Sequence, residues 1–518
     1  MSQVRPRKRA PVKFPCHSQM GRGAEVTSSR AMARGKRQKT DDGEEETLVV
    51  FQEGMVRCVV AAKGAKQPGS VPGFCNVNMR VNRDVSVCAV AAAAMERTER
   101  EPSLPPMKCI DAFTSSGIIG LRWAVESTKV SECNLEVTLN DLAEECCSMA
   151  MHNAVGNSQP GDISKPPQVD PSKVTPCRDF SSLNKMVPKA RNFYHANVHV
   201  TRKPAGSALH DEPYDFIHLD PFGSAAPHLD AAMSRAPHLS VVSITATDTA
   251  ALWGIYPAVA RRRYGAVTAV ETTDADGLSV GVASRRPPWF RELGVRVLLG
   301  AIARAAARHD RGIAPLCSLV SDHFVQVTVR VSRGAAAADR SSSDEAIGRF
   351  WHCEVCDVAA CGGLERPCAH AHSLGPGWLG PLGEMGFLRR MQLAAKRSID
   401  YAKIMKGFVT EPKSAYRDAI EGVSGKTLKL IDRLIAEVDG PPLYRVVSRY
   451  SAPGMDPPPM DDVLEALVQG GWRGTRTHLD ASGIRTDATP EEIRRIVGEV
   501  AARRAGERSR GQPRGVNE

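Results

Sequence analysis

The 518-residue sequence is informative first for what it lacks. No apolar run approaches the roughly 20 residues that a membrane span needs, so a soluble protein with no membrane partner is expected. No secretory apolar segment is present, and the 14 cysteines are scattered except for four between 353 and 368. A reducing compartment with free thiols and one candidate metal cluster fits that usage. The body also lacks a charge excess. Residues 1–40 hold eleven Lys/Arg against one acid, and the remainder holds 57 of each, so all of the net +10 sits in the tail. A nucleic-acid footprint on the body must therefore come from how charges are arranged.

What is present is organised around Tyr214–Ser224, YDFIHLDPFGS. A short apolar strand ends at once in Asp220-Pro221-Phe222-Gly223. Parallel α/β sheets present their chemistry at the carboxyl ends of such strands. The Asp220 carboxylate and the Pro221 carbonyl can accept the two N–H bonds of an exocyclic amine. Phe222 offers a stacking face for the base that carries it. Proline holds its carbonyl rigidly, and Gly223 lets the chain turn away. Alone, the same residues would also make an ordinary β-turn after a buried strand.

Upstream, residues 1–46 read as an unfolded tail with basic clusters at 5–9 and 34–39 and an acidic run at 41–46. They suit a nuclear address, with a mitochondrial one as the second choice, since no acid occurs before Glu25. Residues 107–127 predict strand, small-residue turn and helix, with Arg122 and Glu126 four apart. This unit lacks the Gly-x-Gly-x-x-Gly of a dinucleotide site. Residues 134–157 repeat the pattern, with Asp141 at the strand tip, where an acid can hold a ribose or cap a helix. Asn82-Arg83-Asp84 stands at a helix start, where either a cap from Asn82 or Asp84 or a functional role fits. Residues 158–190 read as a polar insertion, 193–200 as a third strand, and 323–332 as a closing antiparallel strand. Residues 47–333 thus predict a doubly wound α/β sheet. A ribose-binding acid without a phosphate loop points to a nucleoside cofactor lacking phosphates, which S-adenosylmethionine satisfies.

Residues 345–505 predict an α+β domain, followed by a tail at 506–518. Within it, Cys353-x2-Cys356 is followed by Cys361 and Cys368, with His370 and His372 nearby. Four ligands for a structural zinc are available among these six, and the four cysteines are the first choice. Near the carboxyl end Arg473, Arg476, His478 and Arg485 interleave with Trp472, a pattern that could contact an RNA backbone.

These stretches, taken in order, resemble the tRNA (guanine-26-N2)-dimethyltransferase family over roughly 48–500. The resemblance rests on NRDVSV (82–87), DAFTSSGIIGLRWAVE (111–126), LND (139–141), LDPFGSAAPHLDAA (219–232), TATDTAALWG (245–254), DRGIAPL (310–316), GPGWLGPL (375–382) and TRTHLDASGIRTDA (475–488). It implies a class I methyltransferase sheet with a family-specific carboxyl-terminal domain, S-adenosylmethionine as cofactor, and guanine 26 of tRNA as substrate, methylated once or twice. No obligate protein partner is expected. By the same resemblance Arg83, Asp111, Gly117 and Asp141 belong to the cofactor site, Ala196 falls where backbone meets the adenine, and Asp220 is the catalytic acid, beside Pro221 and Phe222. Three departures stand out. Ile119 occupies a position where the family has arginine, Phe74-Cys75-Asn76-Val77 replaces a Phe-Tyr-Asn-Pro motif, and His195 replaces an acid. They motivate a rival expectation, a tRNA-binding folding assistant that has lost catalysis.

Overall fold

The computed structural model describes residues 37–39, 45–61, 73–158, 196–270, 286–321, 323–363, 365–408, 418–452, 454 and 456–511. The basic cluster at 5–9, the acidic run at 41–44, most of the polar insertion and His195 lie outside them. Residues 37–39, expected in an unfolded tail, pair as a short strand against 45–47.

The chain enters the fold through an antiparallel hairpin, β1 (Glu45–Glu53) and β2 (Val56–Ala61). Helix α1 (Arg80–Arg100) follows and buries an unbroken run from Asn82 to Met95. Alanine and valine dominate that run, which lets neighbouring elements approach closely. Then come β3 (Met107–Asp111), α2 (Ile118–Arg122), β4 (Leu135–Asp141), α3 (Glu144–Asn157), β5 (Ala196–Arg202), β6 (Phe216–Leu219) and β7 (Val241–Ala246). Helix α4 (Phe290–Ala307) leads to the long hairpin β8 (Arg311–Ser321) and β9 (Phe324–Arg333).

The seven strands order as β5-β4-β3-β6-β7-β9-β8. The first five are parallel, and β9 is antiparallel to both β7 and β8. This is the doubly wound α/β sheet, with a closing antiparallel strand, that the sequence predicts. β3 pairs with β4 on one side and β6 on the other, so the strand order reverses there. The carboxyl ends beside that reversal are where such sheets bind ligands.

Beyond β9 the chain adds a three-stranded sheet from β10 (Ile347–Cys353), β11 (Val358–Cys361) and β12 (His372–Trp378), then α5 (Met385–Phe408) and α6 (Gly425–Glu437). Helix α7 (Met460–Gln469) and helix α8 (Pro490–Gly511) close the chain around a small core of Val463, Leu467, Ile493 and Val497. The earlier part of this region shares the main cores. Phe387, Met391 and Leu434 join the cluster under α1, and Trp378 and Tyr444 join the one under α4. No helix among the described residues is long and apolar enough to cross a membrane.

Candidate active site

Three aspartates stand at the tips of adjacent strands. Asp111 ends β3, Asp141 ends β4, and Asp220 follows the last residue of β6. Register places Asp111 opposite both Leu139 and His218, so the three tips converge on the strand-order reversal.

Asp111 is fully buried. One carboxylate oxygen accepts from Thr114 Oγ1 at 2.9 Å, and the other has no partner among the described residues. Burial pushes its pKa up to about 7, with Asp220 and Asp141 adding repulsion. Asp220 keeps partial exposure, and no described residue hydrogen-bonds its carboxylate. The protein crowded around it also pushes its pKa up to about 7, against the pull of the Arg83 cation. The next residues turn outward: Phe222 is 62% exposed, and Gly223 takes a φ of +88° that its lack of a side chain permits. Gly223 is tied to the tip of β7, donating to Thr247 Oγ1 at 2.8 Å and accepting from the Thr247 amide at 2.9 Å.

Asp141 reconciles the two roles its position suggested. Its Oδ2 accepts from the Ser115 amide at 2.8 Å and its Oδ1 from the Ala143 amide at 3.0 Å, which pins the helix entry. Each oxygen retains a second lone pair for a ribose hydroxyl. Gly117, at φ +84°, lies so close to Ala150 that a Cβ would stand 3.2 Å from the Ala150 Cβ. Glycine thus lets this turn pack against α3. Above it, the Ser115 hydroxyl donates to the Phe74 carbonyl at 3.3 Å, so the departing Phe74–Val77 stretch lies beside the cofactor-type turn.

Behind the tips lies a buried cluster of charges. Arg122 is fully buried and donates to Glu126 at 2.7 and 2.8 Å, to Glu53 at 2.9 Å and to Asp84 at 2.8 Å. The helix continues there through a π-turn at Trp123–Ser127, which carries the Glu126 end of the pair. Arg83 clamps Glu53 at 2.7 and 2.5 Å and donates to the Asn76 carbonyl at 2.9 Å. Asp84 also accepts from the Ser424 amide and Thr427 Oγ1, both at 2.9 Å, and so ties α1 to the start of α6. Asn82 and Asp84 are therefore interior groups of α1, which begins at Arg80 behind Met79, and neither is the cap that the sequence suggested. Asn82 Nδ2 donates to Thr245 Oγ1 at 2.8 Å, while its Oδ1 is buried without a partner among the described residues. The helix reading alone could not show that this amide points at the tip of β7.

One cofactor expectation fails outright. Ala196 pairs with Leu135, at the amino-terminal end of β4, six residues before Asp141. At roughly 3.3 Å per residue that is about 20 Å from the strand tips. The position beside Asp141 is instead Arg202, with the Lys203 amide donating to the Asp141 carbonyl at 3.1 Å. The basic-loop expectation needs the same treatment. Arg485 is buried between Glu292 at 3.0 Å and Glu437 at 2.7 Å, and His478 Nδ1 lies 2.5 Å from Glu437. Neither reaches a surface where RNA could touch it. Arg473 and Arg476 are surface groups paired with Asp487 and Asp461.

The cysteine cluster gathers Cys353, Cys356, Cys368 and His370, whose ligand atoms all lie within 4.8 Å of one another. Cys361 is not among them. On β11, Val358 and Ala360 face the cluster side, whereas Ala359 and Cys361 face the main apolar core. Strand alternation thus sends Cys361 to the opposite face. Three sulfurs and one imidazole are a donor set that suits tetrahedral zinc.

With this geometry in view, comparison with known proteins is decisive. Residues 54–498 match the model for "N2,N2-dimethylguanosine tRNA methyltransferase". The chain belongs to this family. It is 29% identical over 487 residues to a Macaca fascicularis tRNA (guanine(27)-N(2))-dimethyltransferase, covering 83% of this chain and 64% of that protein. It is 28% identical over 445 residues to a Methanosarcina barkeri tRNA (guanine(26)-N(2))-dimethyltransferase, covering 83% of this chain and 92% of that one. The chain thus spans about three fifths of the length of the mammalian relatives it matches. Among solved structures, that of Trm1 from Pyrococcus horikoshii with S-adenosyl-L-methionine is similar in fold. Its TM-score is 0.61 at 24% identity, over 87% of this chain and all of that one.

Proposed function

We propose that this member of the N2,N2-dimethylguanosine family transfers one or two methyl groups from S-adenosylmethionine to N2 of guanine 26 in tRNA. The observation that carries the reading is Asp220: a carboxylate without a partner among the described residues, at the switch-point strand tip, followed by a rigid Pro221 carbonyl and an exposed Phe222. Near-complete coverage of the archaeal relative favours position 26, and the names of the mammalian relatives make position 27 the second reading.

The residues fit the implied cofactor. Asp141 has lone pairs to spare for ribose hydroxyls, and Asp111 offers a buried oxygen in want of a donor. When bound, the cofactor supplies the electrophilic methyl group. Asp220 and the Pro221 carbonyl accept the two N2–H bonds and so aim the nitrogen lone pair away from themselves, and positioning of this kind is the main catalytic contribution. With a pKa near 7, Asp220 can also take the proton that N2 sheds. Arg83 contributes through charge toward Asp220, anchored by Glu53. Nuclear delivery, with a mitochondrial share, is proposed from the basic amino-terminal composition alone.

The test is methyl transfer from labelled S-adenosylmethionine to unmodified tRNA, with guanine 26 and guanine 27 replaced in turn. Loss of label only on replacing guanine 26 is the expected result. Asp220→Ala should lower the rate by about 10²–10³-fold with tRNA binding intact, the scale of losing one preorganised polar contact to the reacting group. Wild-type protein that binds tRNA but incorporates no label would instead favour the non-catalytic binding protein. We also assign a structural zinc to Cys353, Cys356, Cys368 and His370. Metal analysis should find one zinc per chain, lost in Cys356→Ser and kept in Cys361→Ser.

A further inference from the structure

The segment after β7 carries features that the proposed chemistry does not use. Ile255 is 49% and Tyr256 59% exposed, and with Phe222 they form three large apolar side chains turned to solvent on two joined loops. The loops are fixed to each other. Gly223 bonds the Thr247 amide, the Ile255 and Tyr256 amides both donate to the Ala250 carbonyl at 2.9 Å, and Tyr264 OH donates to Asp248 at 2.6 Å while meeting Ser224 Oγ at 3.0 Å. Tyr256 leads directly into the helix Pro257–Tyr264, whose last turn carries Arg261, Arg262 and Arg263 on the exposed surface. Arg263 is pinned to Asp248 at 2.9 Å, so the cationic end of this helix is rigidly referenced to the Asp220 turn.

Exposed apolar side chains grouped on a surface mark a contact site. Here the adjoining charge is cationic and the neighbouring site takes a base. An apolar side chain entering a stack keeps a displaced base out, and arginine holds the phosphates alongside. We propose that Tyr256, supported by Ile255, is a wedge that enters the tRNA stem in the place of the extruded target guanine, while Arg262 holds the adjoining phosphate. This rests on the reading of the Asp220 site as a tRNA guanine site, and it adds the device that opens the stem. Tyr256 is a positioning residue, since it acts on the helix the base leaves.

The test uses full-length protein and tRNA carrying 2-aminopurine at the target position, whose fluorescence rises when it leaves the stack. Wild-type protein should enhance the signal on binding. Tyr256→Ala should lose most of that enhancement, about fivefold or more, with a dissociation constant changed by less than about threefold. Making the opposing nucleotide abasic should restore the enhancement, because the stem then opens at little cost. Arg262→Glu should weaken binding about tenfold and reduce the salt slope by about 1, as for one phosphate contact. Full enhancement with Tyr256→Ala, or equal loss on paired and abasic tRNA, overturns the wedge. Methylation of guanine-bearing tRNA by wild-type protein is scored separately. Failure of the reaction and failure of the wedge are therefore read on different signals.

Discussion

Asp111 and Asp220, at the strand tips, have few partners, and burial drives both toward neutrality near pH 7. In the two helix-packed clusters most carboxylates behave in the opposite way, Glu126 excepted, since burial keeps its pKa raised even against Arg122. Glu53 and Asp84 behind α1, and Glu292 and Glu437 at the junction with α6, are buried, yet burial's upward push is overcome by cations that bond them directly, arginines for the first three and His478 ahead of Arg485 for Glu437. The difference separates roles. A carboxylate with donors on both oxygens fixes elements to one another, as Asp84 does between α1 and α6. One left short of donors at the carboxyl edge of a sheet has capacity reserved for a ligand, at a cost in stability. Substitutions at the two kinds of site should therefore fail in different ways.

The sharpest break is Arg122→Ala. It leaves Glu53, Asp84 and Glu126 buried around a missing cation, and removing one partner of a buried ionic group costs about 3–5 kcal/mol. Chemical denaturation should show that loss, in contrast to Asp220→Ala, which should lose activity and keep its midpoint. A stable Arg122→Ala protein would mean that the cluster is not structural.

Acid should expose the second cluster. Burial raises the Glu437 pKa, but His478, Arg485 and Thr477 outweigh it and hold the pKa at about 2. A depressed carboxylate stabilises the fold above its unfolded pKa of about 4.5 and loses that contribution as pH falls toward 2. Wild-type protein should lose about 3 kcal/mol over that window, and Glu437→Gln should flatten the dependence. An unchanged profile in Glu437→Gln would assign acid sensitivity elsewhere.

How far the sequence reveals this division depends on chain distance. Asp141 and Asp220 are legible because one ends and the other directly follows a short apolar strand, and the strand tips are where the proposed site lies. Arg122 and Glu126 are legible as a helix pair, but Glu53 and Asp84 reach them from elements 69 and 38 residues away, which no local pattern encodes. Ala196 shows how register fails. The alternating valines at 198 and 200 identify a strand without saying which end meets Asp141, and a long polar insertion precedes it. Spacing groups Cys361 with the other cysteines, although its face of β11 decides its partners. Arg485 and His478 read as surface cations because the sequence cannot show Glu292 and Glu437 arriving to bury them.

At the strand tips the pH dependence should appear in activity instead, and near neutrality. If N2 is held by ionised Asp220, the rate of methyl transfer under single-turnover conditions should rise about tenfold from pH 6 to pH 8 around a pKa near 7. A flat profile would mean that the carboxylate is ionised throughout, with Arg83 winning over burial.

Asp111→Asn tests the cost of the reserved capacity, with the smallest effect. Its folded pKa of about 7 lies above the unfolded value of about 3.9, so the folded state holds the extra proton between those limits. Stability contributed by a raised carboxyl therefore falls as pH rises from about 4 to 7, and the deficit persists above 7. Asparagine keeps an oxygen for the Thr114 hydroxyl and carries no charge to desolvate. The variant should match wild type near pH 4 and exceed it at pH 8, by about 1 kcal/mol once relaxation around the buried group is allowed for. A gap of constant size at both pH values would show that Asp111 is held by its contacts like Glu53, and the contrast between strand tips and clusters would then rest on Asp220 alone.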